Sequence, residues 1–442
     1  MIKNVKRRRN LALTVTACLS VSVLALSGCA QASGSQPTAG GDTATKLSIL
    51  VTTENTQVPA ELKKLADKQC STQSQSLPLS IEQAPSASIQ EKIQLLAGQD
   101  ALPVMFAAGN SYIDKGGDLQ KNGQILDVEG TFKDLGILDQ ITPSALSTLK
   151  KLYTDTVPSL PFQYNIEGIW YNKKIFDANN IAVPTTWSEL TAASEKLKKA
   201  GVTPITASGQ TGWTISRWIG AYLFRSLGQN AMLDVKEGRA KLTDAKYVEA
   251  AKAIQDLAKA GYFPEGVSGI DYDTANNQFL SGQAAMMYMG SWLLAKVNDP
   301  AQNKIGDAAQ FMPFPEVSGG KGKIDEYPAN AGSPTSVNPK MYGPKVGDWI
   351  KCIATNYGAD SLQNSGTFSG FKVNGTVDAV PPITADIQKR IDASTSSVLW
   401  FEALFNAKAT QDAKDYAAAF LTGSTSAQDY MSLLQKDLDT AH

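Results

Sequence analysis

The sequence predicts an α/β protein with a mostly parallel sheet, divided into two domains. Two observations carry that reading. Short apolar runs alternate with amphipathic stretches of helical period from Lys46 onward. About 400 residues follow a polar N-terminal segment, which is too many for one ordinary core.

The elements follow in order. Lys46 to Thr52 is a short apolar run suited to a buried strand, and Pro59 to Cys70 is helical with Leu62, Leu65 and Ala66 on one face. Leu79 to Gln83 and Leu102 to Ala108 are strands, separated by a helix over Ile89 to Ala97 that Gly98 stops. Ile169 to Asn172 is strand-like. Thr186 and Glu189 have the spacing of a capping box, opening a helix with Leu190, Ala193 and Leu197 on one face. Asp244 to Ala260 is a helix. Ala284 to Met289 is an apolar strand followed by Gly290-Ser291-Trp292. Pro313 to Gly332, rich in Gly and Pro, reads as loop. Ala331 to Val337 is a strand, and Val346 to Tyr357, Ser394 to Ala407 and Gln411 to Leu421 are helical. No internal repeat is visible.

The N-terminus is a targeting segment. Lys3, Lys6, Arg7, Arg8 and Arg9 precede an apolar stretch from Leu11 to Leu26, which ends in Leu26-Ser27-Gly28-Cys29. A charged start, a short apolar core and small residues before a cut describe a secretory signal over residues 1–28. The Leu-Ser-Gly-Cys end resembles the bacterial lipobox, which implies lipidation of Cys29. Residues 29–45 are Ser, Gly, Thr, Ala and Pro with almost no large apolar side chain, so they read as a flexible tether. No later run is long enough to span a bilayer, so membrane attachment is expected through the lipid alone.

Composition narrows the chemistry. The chain has 41 Lys and Arg against 42 Asp and Glu; with the five basic residues of the signal gone, 36 face 42, a mildly acidic body. That argues against a nucleic-acid partner. The only histidine is His442, so a histidine-based nucleophilic site or metal site has no plausible base or ligand. Cys18 leaves with the signal and Cys29 carries lipid, leaving Cys70 and Cys352, too few for a thiolate zinc site. In an exported protein the pair reads as one disulfide or as two separate buried thiols, and both remain open. No cofactor and no metal are expected.

Three segments then carry a resemblance. Leu160-Pro161-Phe162, Gly168 through Phe176 (with Tyr171-Asn172-Lys173) and Ile181 through Leu190 (with Pro184-Thr185-Thr186-Trp187-Ser188-Glu189-Leu190) resemble the central signature of family-1 extracellular solute-binding proteins. Phe279 to Met286, followed by Gly290-Ser291-Trp292, resembles that family's second signature. Gln99 to Phe106 resembles its Gly-x-x-Pro-Asp segment, with Val104 where the Asp usually stands. Within the family the chain is similar to multiple-sugar and raffinose-type binding proteins.

The resemblance implies a periplasmic-binding-protein-like (Venus-flytrap) fold: two hinge-linked α/β lobes with the ligand cleft between them. It implies residues 46–163 plus 311–365 for lobe 1 and 164–310 plus 366–442 for lobe 2. The chain is expected to cross near Phe162 to Glu167, return near Phe311 to Pro315 and cross again near Gly366 to Val373. It places the helices at Cys70 and Cys352 in one lobe. It also implies a sugar ligand, permease subunits of an ABC importer as partners, and a monomer.

A sugar offers C–H faces that stack on flat aromatic rings and a rim of hydroxyls that pairs with polar side chains. Of seven tryptophans, Trp170, Trp187 and Trp349 read as core. Trp213 after a Gly-rich loop and Trp292 on a Gly-Ser turn that points its ring away from the sheet read as platforms, the resemblance implies a third at Trp400 in a C-terminal helix, and Trp218 is divided between core and site. The resemblance implies polar ligand contacts at Glu54 and Asn55 after the first strand and at Asn110 and Ser111 after the third; Asn165 at the implied crossing and Asp271 with Tyr272 before the second signature are further candidates. The resemblance also implies that Gly332 passes close to the sugar and that Phe371, after the third crossing, walls the site. Several platforms suit an oligosaccharide of two to four units. A secreted glycoside hydrolase, which needs a carboxyl pair across the bond, and a binder of a non-sugar solute are the alternatives.

Overall fold

The structure, a computed structural model, describes residues 43–440 apart from 54, 86–87, 379 and 395–397. The signal, most of the tether, Cys29, Glu54 and His442 lie outside the described residues.

In chain order the strands are β1 (Leu47–Thr52), β2 (Leu79–Ala84), β3 (Met105–Ala107), β4 (Asn165–Asn172), β5 (Thr203–Thr206), β6 (Ala284–Gly290), β7 (Ala309–Met312), β8 (Pro328–Asn330), β9 (Thr335–Val337) and β10 (Val398–Leu399). One sheet has the order β2-β1-β3-β9, with β1 parallel to β2 and β3 and β9 antiparallel. The other has the order β10-β8-β4-β6-β5, with β7 also paired to β4. The expectation of mostly parallel strands therefore holds in the first sheet and is corrected in the second, where β4 runs antiparallel to β6, β7 and β8.

The second sheet is buried on both faces, which explains its unbroken apolar strands. Along β6, Met286 and Tyr288 enter one hydrophobic cluster and Met287 and Met289 the other. Along β4, Ile169 and Tyr171 alternate with Trp170 in the same way, as the period of two requires. The capping box is formed: Thr186 Oγ1 accepts from Glu189 N at 3.3 Å and Glu189 Oε2 accepts from Thr186 N at 3.0 Å, opening the helix Trp187–Lys199.

Several local expectations are corrected. The stretch expected to be helical over Ser394 to Ala407 contains β10, because Val398 and Leu399 pair with Pro328 and Ala329. Phe401 then presses on Gly220 of the helix Trp213–Leu227. The expected loop from Pro313 to Gly332 contains β8. The return crossing falls later than Phe311 to Pro315: β7 and β8 both pair with β4, and the chain rejoins the first sheet only at β9. In the segment Gly366 to Val373, Gly370 N donates to Pro161 O at 2.8 Å and Phe371 bridges Ile141. Two further helices, Trp213–Leu227 and Ala427–Asp439, lie outside the elements that the sequence pattern predicts.

Cys70 and Cys352 form a disulfide with Cα atoms 5.8 Å apart, joining the chain beyond the helix Gln57–Asp67 to the helix Pro344–Ser365. Among the described residues no helix is long and apolar enough to cross a membrane, and no group of three or more His, Cys, Asp or Glu is arranged to hold a metal.

Candidate ligand-binding cleft

A cavity of about 640 Å³ lies at the C-terminal ends of β1 and β3. Ligands commonly sit beyond the carboxyl ends of strands in open α/β sheets, and cavities of this volume suit small organic molecules. Thr52 and the segment 107–110 line it from the first sheet. Trp213 and Arg217 come from the helix Trp213–Leu227, Trp292 follows β6, and Trp400 and Glu402 follow β10. The connection between β8 and β9 adds Asn330, Gly332 and Ser333.

Three of the expected aromatic platforms thus meet in one cavity, though their local settings differ from expectation. Trp213 is the first residue of its helix, and Trp400 sits in a turn after β10 rather than in a helix. Trp292 folds back over Gly290 instead of pointing away from the sheet: a Cβ at Gly290 would overlap the indole ring, so only glycine admits this close approach. The Trp213 and Trp292 rings are 5.9 Å apart between centroids, and Tyr272 lies 5.9 Å from Trp213. Tyr272 Oη accepts a hydrogen bond from Trp292 Nε1 at 3.1 Å, and burial pushes the phenol pKa up. Tyr272 therefore backs the tryptophans and is absent from the cavity wall.

Arg217 is the central charge. Its Nε donates to Glu402 Oε2 at 2.9 Å and its Nη1 to Glu167 Oε1. Burial alone would lower its pKa; the two carboxylates more than offset that and hold it above the ordinary value. Its guanidinium lies 5.3 Å from the Trp213 ring centroid and 5.4 Å from that of Trp400.

The remaining candidates divide. Asn110 lines the cavity, with Oδ1 accepting from Tyr153 Oη at 2.8 Å. Ser111 follows it in the helix Asn110–Ile113. Gly332 lines the cavity at φ +66°, where a side chain would run into Gln163. Asn165 is buried one step behind the wall, accepting from Ser291 Oγ at 3.1 Å and paired in register with Asn330. Asn55 Oδ1 accepts from Val58 N at 3.3 Å beside the start of the helix Gln57–Asp67, and Asp271, the N-cap of the helix Tyr272–Leu280, accepts from Thr274 N at 2.6 Å; neither lines the cavity. The Thr274 backbone hydrogen bond holds the Asp271 carboxyl below its usual range.

Two candidates are corrected. Trp218 is fully buried against Phe263, Tyr288 and Phe314, because it falls on the core face of its helix. Phe371 is buried among Phe132, Phe162 and Tyr357, away from the cavity. Sequence reasoning missed Arg217, Glu402, Gln90, Tyr112, Asn330 and Ser333. A second cavity of about 620 Å³ shares Asn110 but has no tryptophan in its wall.

The family model for bacterial extracellular solute-binding proteins matches residues 55–350, a span that contains both long signatures. The chain belongs to that family. Among curated relatives of this solute-binding protein, an uncharacterized ABC transporter extracellular-binding protein of Pyrococcus horikoshii is 29% identical over 186 residues, covering 41% of this chain and 40% of the relative. A multiple sugar-binding protein of Streptococcus mutans is 30% identical over 151 residues, covering 33% of this chain and 36% of the relative. The matched spans are thus well under half the length of these relatives. Among solved structures, a chitin oligosaccharide binding protein superposes with a TM-score of 0.74 at 21% identity, over 90% of this chain and 99% of that one. That likeness establishes the two-lobed α/β fold.

Proposed function

We propose that this solute-binding protein captures a carbohydrate outside the cell in the tryptophan-lined cleft and delivers it to the permease subunits of an ABC importer. The observation that carries this reading is the convergence of Trp213, Trp292 and Trp400 on one cavity, ringed by Asn110, Asn330 and Ser333. Flat apolar rings beside neutral donors and acceptors match a sugar's C–H faces and hydroxyl rim. The Streptococcus mutans relative is named for multiple sugars and the solved neighbour for a chitin oligosaccharide, which supports the same class. A cavity of about 640 Å³ with three platforms favours an oligosaccharide over one ring. The protein acts as a monomer tethered by lipid on Cys29, with its lobes closing on the ligand.

Hydrolysis is disfavoured by the carboxylates. Among the described residues of the cavity wall Glu402 is the one acid, and both it and the buried Glu167 are engaged by Arg217. A glycosidase needs two carboxyl groups flanking the bond, one of them free to give a proton.

Calorimetric titration of the mature protein with neutral mono- to tetrasaccharides tests the reading. Saturable binding to at least one carbohydrate, without product formation, is expected. Binding to a polyamine or metal ion alone would replace it with the non-sugar reading.

A further inference from the structure

We propose that Arg217 is a positioning residue that fixes the spacing of the Trp213 and Trp400 platforms. The proposal rests on the carbohydrate reading of the same cleft.

The geometry is that of a cation between two rings. The guanidinium carbon is 5.3 Å from the Trp213 centroid and 5.4 Å from the Trp400 centroid, both within the range of cation–π attraction. Trp213 and Arg217 are four residues apart on one helix, so they share a face and their contact is set locally. Trp400 has no such support. It lies in a turn, and the other residue of that turn in the cavity wall is Glu402, whose Oε2 accepts from Arg217 Nε at 2.9 Å. Glu402 Oε1 also takes the hydroxyl of Ser216, so two adjacent helix residues hold the turn. Arg217 thereby ties the turn bearing one platform to the helix bearing the other.

The far side of the guanidinium is equally fixed. Nη1 meets Glu167 Oε1 on β4, and the same oxygen accepts from Asn330 Nδ2 on β8 at 3.3 Å. Glu167 is fully buried and Arg217 only 14% exposed. Two carboxylates around one guanidinium hold it in place and offset its charge, and Lys414 is the other cation of the cavity wall. The planar fork is essential, because it meets two carboxylates and stacks on rings at once; a lysine ammonium is a point charge on a flexible stem.

An ordinary buried ion pair would matter for stability alone, so the test reads platform geometry and affinity in folded protein. Arg217→Lys and Glu402→Gln are compared with wild type by acrylamide quenching of tryptophan emission without ligand. Calorimetry then uses whichever neutral saccharide of the mono- to tetrasaccharide panel wild type binds, well below each melting temperature. Trp170, Trp218 and Trp349 are fully buried, so a change in quenching reports mainly on the half-buried rings. Each folded variant is expected to show altered quenching and binding weakened roughly tenfold, the scale of lost cation–π and ion-pair contacts. Glu402→Gln keeps shape and size, so it carries the test if Arg217→Lys does not fold. Unchanged quenching and unchanged affinity in a folded variant overturn the proposal. If wild type binds no saccharide, the carbohydrate reading fails, while the ligand-free quenching still decides whether Arg217 sets the platforms.

Discussion

The indole Nε1 of Trp292 donates to Tyr272 Oη at 3.1 Å, and the Tyr272 ring lies 5.9 Å from Trp213, so a residue outside the cavity wall braces two that line it. Tyr272→Phe removes that one acceptor and keeps the ring. A net hydrogen bond is worth about 1 kcal/mol, so binding should weaken roughly fivefold with little loss of stability. Trp292→Ala removes stacking and burial together and should weaken binding at least roughly tenfold. Calorimetry and thermal melts on the same preparations separate the effects; a large melting shift with intact affinity would return both residues to the core.

Trp218 gives the contrast. It is fully buried against three aromatic rings, and its Nε1 has no hydrogen-bond partner. Trp218→Ala should cost about 3–5 kcal/mol of stability through the cavity it leaves. Affinity in the folded fraction should stay near wild type, whereas Trp400→Ala should do the reverse. The opposite pattern in melts and titrations would invalidate the site assignment.

Trp213 and Trp218 show what the sequence discloses and where it stops. The double-buried strand β6 and the capping box at Thr186 were legible because each is a local pattern of a few residues. Trp213 and Trp218 are the same residue type on one helix, and only helical phase, about 100° per residue, separates the cavity face from the core face. That phase was readable in principle once the helix Trp213–Leu227 had been recognised, and Arg217, four residues after Trp213, would have come with it. The Arg217 partners were not readable. Glu167 lies 50 positions away and Glu402 185, and no spacing rule joins them. The late return crossing was hidden for a related reason: β8 is three residues long inside a Gly- and Pro-rich stretch, and its pairing with Asn165 and Ile166 makes it a strand.

The Cys70–Cys352 bond closes a loop of 282 residues. Loop-closure entropy puts its contribution at up to about 5 kcal/mol. Cys70→Ser with Cys352→Ser should therefore lower the denaturation midpoint, and reductant should do the same to wild type while leaving the double variant unaffected. The bond lies outside the tryptophan cavity, so affinity below the transition should not change. Two free thiols in unfolded, unreduced protein would show that the bridge does not form.

Glu129 links two helices, with Lys133 at 2.8 Å on its own helix Val128–Asp134 and Lys150 at 2.8 Å on Pro143–Leu152. Hydrogen bonds from Lys133 and then Lys150 hold its carboxyl below its ordinary value. A depressed carboxylate pKa means the unfolded chain takes up the proton first, so the contribution is complete above the unfolded value and is lost as pH falls through the folded one. Glu129→Gln should be less stable than wild type at pH 7, and the gap should close as pH falls below about 4. A gap that persists unchanged at pH 3 would mean the side chain acts by packing.

The anchor is tested where the structure gives no description. Residues 1–28 have the charged start, apolar core and small residues of a secretory signal, and Cys29 follows Leu-Ser-Gly. No described helix is long and apolar enough to cross a membrane. A thioether-linked lipid needs the Cys29 sulfur, and a serine cannot supply it. Cys29→Ser should move the protein from the membrane fraction to the medium or leave it unprocessed, with ligand affinity of the folded body unchanged. Detergent-phase partitioning of wild type and variant reads this directly. If the variant still partitions with the membrane as wild type does, the lipid anchor is refuted, and the binding function of the cleft stands independently of it.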